Sequence, residues 1–130
     1  MTQIGAVQNF RQLVVWGRAH AFAVRIRRFA RGLPRTGYAD FKSQLTRAAE
    51  SISTNIVEGC GAATRKEFAR FIDISIKSAS EVDYLLQVVK DYGLVSVETW
   101  RALSDEVTEI RKMLYGLRRA ILAADAGSRA

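Results

Sequence analysis

A chain of 130 residues with 48% hydrophobic content fits one domain around one core and is too apolar to be disordered by composition. Its net charge is +7 and the excess is confined: residues 1–39 carry seven arginines and no acid, while residues 40–130 carry thirteen basic and thirteen acidic residues. That asymmetry argues for a polyanionic partner. No apolar run approaches the length of a membrane span, and residues 1–20 lack the apolar segment and cleavage site of a secretory signal.

The spacing predicts four amphipathic helices and little else. The first covers about residues 8–32 and has two apolar stripes. Phe10, Leu13, Val14, Gly17, Ala21 and Val24 form one. Val15, Phe22, Ile26, Phe29 and Leu33 form another, about 120° around the helix at 100° per residue. A helix in an isolated bundle needs one such stripe, so the second implies contact with another subunit. Gly32 and Pro34 break the chain.

Helix 2 is predicted from about Asp40 to Glu58, with Leu45, Ala48, Ala49, Ile52 and Ile56 facing the core and Gly59 as its stop. Helix 3 begins with a capping box, Thr64 with Glu67, and runs through Phe68, Ile72, Ser75, Ala79, Val82, Leu86 and Val89 to Gly93. Helix 4 runs from near Ser96 to about Ala123, with an unbroken heptad seam from Trp100 to Ile121. The tail, residues 124–130, is expected to fray. Short connections make neighbours antiparallel. The expected fold is all-α: an antiparallel up-down-up-down four-helix bundle, one domain over residues 1–130.

Helix 2 is unusual in its polar content. Ser51, Asn55 and Glu58 form a stripe off the core direction. They make either a half-exposed flank or a buried hydrogen-bonding cluster that meets Ser75, Ser78 or Arg65 of helix 3.

Catalytic chemistry has few candidates. With only His20 and Cys60, one chain cannot build a His/Cys metal site, and no cofactor motif is present. His20 reads as a packing or surface residue, and Cys60 as a small buried filler whose lack of a disulfide partner favours a reducing, cytoplasmic setting. Carboxylate pairs such as Asp73/Glu81 and Glu106/Glu109 are common on helices. No enzymatic activity is expected; a site between subunits made from Asn55, Glu58, Arg65 and Glu81 is the remaining alternative.

The arginines are the stronger lead. Arg25, Arg27, Arg28, Arg31 and Arg35 crowd the end of helix 1 and its loop, more than dipole complementation requires. Arginine pairs bidentately with phosphate. A second basic group, Arg11, Arg65, Lys66, Arg118 and Arg119, is expected to converge at the opposite end of the bundle. Nothing in the pattern reads base sequence, so backbone-dominated binding of RNA or DNA is expected.

"SQLTRAAESISTNIVEGCG" followed by "EFARFIDISIKSASEVDYLL" resembles the bacterial four-helix-bundle proteins encoded by intervening sequences in large-subunit rRNA genes. The matching positions are Arg47, Ala48, Ser51, Ile52, Asn55, Ile56, Glu58 and Gly59, then Arg65, Phe68, Phe71, Ser78 and Glu81. Lys77 departs from the family's usual glycine; either the packing differs there or Lys77 points outward. The resemblance implies a structural cluster around Arg47, Ser51, Asn55, Glu58, Gly59, Ser78 and Glu81. It also implies a homo-oligomer, typically a pentamer, with a combined charge of roughly +35. The family is similar to accessory proteins of diversity-generating retroelements, basic pentamers that bind nucleic acid and a reverse transcriptase. A scaffold docking an acidic protein, such as a reverse transcriptase, is therefore the alternative to nucleic-acid binding. A membrane role is weaker, because the apolar stripes are committed to packing.

Overall fold

Four long helices, each packed on its sequence neighbours, make up most of the chain in a computed structural model that describes residues 9–129. They are α1 (Val14–Arg31), α2 (Ala39–Cys60), α3 (Arg65–Asp91) and α4 (Val97–Arg129). Among the described residues α4 closes lightly onto α1, and the diagonal pairs do not meet. The protein is an all-α four-helix bundle. Cross-helix bonds show the directions. Gln44 meets Glu81 while Ser51 meets Ser78, and Ser104 meets Asp83 while Arg118 meets Asp73. Each neighbouring pair therefore runs antiparallel.

The first helix starts later than its periodicity suggests. Asn9 caps a short 3-10 turn, Phe10–Gln12, by accepting a hydrogen bond from the Arg11 N–H. Leu13 is then extended, at φ −82° and ψ 121°, and α1 begins after it. The part of the expected helix before Asn9 lies outside the described residues. The two stripes part along the helix, although Phe10 and Leu13 at the start of the first pack against the core and Phe29 of the second is half-buried. Val15, Phe22, Ile26 and Leu33 are buried, joined by Ala19, Ala23 and Ala30. From the other stripe, Val14 is 72% and Val24 39% exposed, and Gly17 and Ala21 are exposed as well.

Helices α2 to α4 bury the expected faces. Leu45, Ala48, Ala49, Ile52 and Ile56 enter the core, as do Leu103, Val107, Ile110, Leu114 and Ile121. Thr64 caps α3 by accepting from the Glu67 N–H at 3.1 Å. Gly93, at φ +73°, ends that helix in the left-handed region that glycine adopts without a steric cost. Helix α4 runs on past Ala123 to Arg129.

Gly59 is not a stop. Helix α2 passes through it to Cys60, and Gly61 takes the cap. Its role is close approach: a β-carbon there would lie 2.7 Å from Phe68 Cδ1 and 3.2 Å from Phe71 Cβ. Alanine's helix propensity would favour Gly59→Ala by about 1 kcal/mol, but overpacking costs about 1–3 kcal/mol. Phe68 is 2% exposed. Gly59→Ala is therefore expected to destabilise the bundle by up to about 2 kcal/mol in urea unfolding. A raised midpoint would contradict the contact.

Candidate nucleic-acid interface

The basic end of α1 lies against the start of α2, and a cleft of about 390 Å³ opens between them. Arg27, Arg31 and Arg35 line it from the α1 side, with Ala30 among them. Lys42, Ser43, Thr46 and Arg47 line it from α2. The local sequence explains the α2 wall: Lys42 with Thr46, and Ser43 with Arg47, are spaced by four and so share one side of the helix.

The five arginines expected to act together do not. Arg25 forms an ion pair with Glu106 of α4. Arg27 donates to Glu50 Oε2 of α2, at 3.0 Å from Nη2 and 3.3 Å from Nε. The acids that neutralise them come from across the bundle, which an acid-free N-terminal segment does not reveal. Exposed pairs of this kind add little stability; their consequence is to remove two charges from the patch. Arg28, Arg31 and Arg35 remain exposed.

At the opposite end Arg11 precedes α1, and Arg65 and Lys66 open α3. Arg118 is tied to Asp73, about two helical turns further along α3, and Arg119 follows it. The Arg11 guanidinium lies over the Phe10 ring at 4.5 Å. Lys66 and Arg119 are exposed. At the first basic end Arg27, Arg31 and Arg35 line the α1–α2 cleft.

The polar residues of α2 form a seam with α3. Asn55 Nδ2 donates to the Ser51 carbonyl and to Ser51 Oγ, both at 2.9 Å. Ser51 Oγ and Ser78 Oγ share a hydrogen bond at 2.8 Å. Ser75, fully buried, donates to the Ile52 carbonyl at 2.8 Å. Gln44 donates to Glu81 at 3.2 Å. Ser51, Asn55, Ser78 and Glu81 are thus on the seam, and Gly59 lies further along the same interface. Glu58 is exposed and outside the seam, so no buried carboxylate needs a counter-charge. Arg47 belongs to the cleft instead. The serines satisfy their own polar atoms while letting two helices approach, a structural role.

This arrangement coincides with a family model. Residues 11–116 match the model described as 23S rRNA-intervening sequence protein. The chain belongs to this family. The intervening-sequence fold is also that of a crystal structure from Bacteroides thetaiotaomicron, a protein with unknown function from the S23 ribosomal protein family. The two are 28% identical, with a TM-score of 0.76, over 81% of this chain and 98% of that one. No curated protein matches the chain significantly.

Glu106 and Asp73, members of the carboxylate pairs, are spent on Arg25 and Arg118. Lys77 points outward into solvent. His20 is exposed and stacks on Trp16, with ring centroids 5.0 Å apart. Cys60 is buried, and desolvation pushes its thiol up to about 11, so it stays protonated at neutral pH. Among the described residues no group of three His, Cys, Asp or Glu side chains is placed to hold a metal, and no helix is long and apolar enough to cross a membrane. Lys42, Ser43 and Thr46 escaped the sequence reading. Their only signal was the spacing of four, in a stretch whose net charge is near balance.

Proposed function

We propose that the protein is a non-enzymatic, homo-oligomeric helical bundle that binds RNA or DNA through backbone electrostatics in the cytoplasm. The observation that carries this reading is the α1–α2 cleft. Arg31, Arg35, Lys42 and Arg47 converge there with no acidic partner among the described residues. Like charges held around one cleft repel, and a polyanion relieves that repulsion while releasing its own counterions. The partly buried α1–α2 groove also presents hydroxyls from Ser43 and Thr46, which donate to phosphate oxygens. Homo-oligomerisation draws on the uncovered apolar stripe of α1. Repetition of the cleft around an assembly would extend the positive surface along a strand.

Fluorescence anisotropy with labelled RNA and DNA, titrated across salt, tests the reading. Wild type is expected to bind with a log affinity that falls linearly with log salt. The triple reversal Arg31→Glu, Arg35→Glu and Arg47→Glu should lose binding. The reversal Lys66→Glu with Arg119→Glu, at the other end, should retain most of it. Arg25 and Arg27 are left intact, because reversing them would set glutamate against Glu106 or Glu50. Absence of wild-type binding at low salt would overturn the nucleic-acid reading and leave the charge to an acidic protein partner, such as a reverse transcriptase.

A further inference from the structure

We propose that the α1–α2 cleft is a phosphomonoester site: it takes a terminal phosphate, of a nucleic-acid strand or of a free nucleotide, in preference to an internal phosphodiester. The inference rests on the reading above for its nucleic-acid source and sharpens what that surface meets.

Three observations converge. The first is shape. The basic residues line both sides of a concavity of about 390 Å³ between α1 and α2. That size lies in the range of small-ligand pockets, about 300–1,000 Å³. A chain end enters such a space without bending.

The second is charge density. Arg31, Arg35, Lys42 and Arg47 bring four cations to one cavity, and Arg27 adds a guanidinium already shared with Glu50. A diester offers one negative charge. A monoester carries about −1.5 to −2 at neutral pH, and three terminal oxygens that accept hydrogen bonds. The monoester therefore compensates more of the cluster from one point.

The third is the donor set. Guanidinium forks suit the flat edge of a phosphate, and an ammonium acts as a compact point charge beside it. Ser43 and Thr46 supply hydroxyls from the same wall of α2. Arg31 ends α1, and Lys42, Ser43, Thr46 and Arg47 belong to α2, two helices with a buried, packed side: Ala30 is 3% exposed and Leu45 fully buried. Most of the donors are thus held on helices, with Arg35 supplied by the connection between them.

The test uses the full chain and two RNA oligonucleotides of one sequence, labelled at the 3′ end, one with a 5′-phosphate and one with a 5′-hydroxyl. AMP and inorganic phosphate are titrated separately by calorimetry. The 5′-phosphate RNA is expected to bind about tenfold tighter at pH 7.5. That preference should shrink at pH 5.5, where the terminal phosphate regains its second proton, whose pKa is about 6. Arg31→Ala with Lys42→Ala should make the two RNAs equal; Lys66→Ala with Arg119→Ala should not. All four positions are surface or half-buried, and circular dichroism confirms that each variant folds. A 5′ preference lost in the cleft variant assigns the strand end. AMP binding lost in the same variant, without a 5′ preference, assigns a free nucleotide. Equal binding of both RNAs by wild type with no AMP binding overturns the phosphomonoester site while leaving backbone binding intact. AMP binding without RNA binding overturns the broader reading and keeps this one.

Discussion

Phe22→Ala is expected to cost about 3–5 kcal/mol of folding stability, the range for deleting a fully buried aromatic ring. Phe22 is 0% exposed and is the largest fully buried side chain of α1. Its neighbours on that face are small: Ala19, Ala23 and Ala30. They let α1 approach α2 closely but leave Phe22 and Ile26 to supply most of the buried volume. A cavity there has few long side chains on α1 able to swing inward, so little of the loss is recovered. Against a total of about 5–15 kcal/mol for a domain, the change removes a large share. Urea unfolding measures it, as a shift in midpoint at constant slope. A loss below about 1 kcal/mol would show that α1 is not anchored through this ring.

The same helix shows what sequence reveals and what it does not. Two stripes were legible from spacing alone, because helical periodicity is a local property. Which of them faces the bundle was not. Val15, Phe22 and Ile26 won over Val14 and Val24, and that choice depends on where α2 and α4 lie. The seam of α4 was easier, since one heptad stripe admits one answer. Gly59 was misread for a related reason: glycine at a helix end is a local stop signal, whereas its actual constraint is the Phe68 ring, nine residues on and in another helix.

The site follows the same rule. A cluster of arginines was plain in the composition of the first 39 residues. Its dissection into paired and unpaired members was not, because Glu50 and Glu106 reach Arg27 and Arg25 from other helices. Lys42 and Thr46 gain meaning only when the antiparallel turn folds α2 back along α1. Charge counts pointed to this end of the molecule; the cleft required the fold. Across the α2–α3 seam hydrogen bonds join Ser51, Asn55 and Ser78, three of the seven residues of the family-motif cluster.

Glutamate at both Ala21 and Val24 is expected to leave the bundle folded and to convert a homo-oligomer into monomers. Val14, Gly17, Ala21 and Val24 recur at spacings of three, four and three along the outer side of α1, the pattern of a helix seam. Gly17 has open space where its β-carbon would stand, with nothing within 4 Å. Single exposed apolar residues are ordinary, but a continuous stripe beside the basic end of the chain asks for cover. A second copy offers a matching surface, since the stripe is its own complement in a seam of small and β-branched residues. The substitutions are chosen to be benign within one chain. Arg28 lies four residues after Val24, so the glutamate there gains an i, i+4 partner worth about 0.2–0.5 kcal/mol, and Ala21 is exposed on the same side. In an interface the same two carboxylates would be buried and desolvated, at a cost of several kcal/mol each. Light scattering after size exclusion should therefore give wild type a mass several times 14.5 kDa and the double variant that of one chain. Circular dichroism should be unchanged between them. A wild-type monomer at micromolar concentration would remove the case for the stripe as a subunit contact. An undiminished mass in the folded variant would move the contact to another face, such as the outer side of α3, where Ile74 and Tyr84 are exposed.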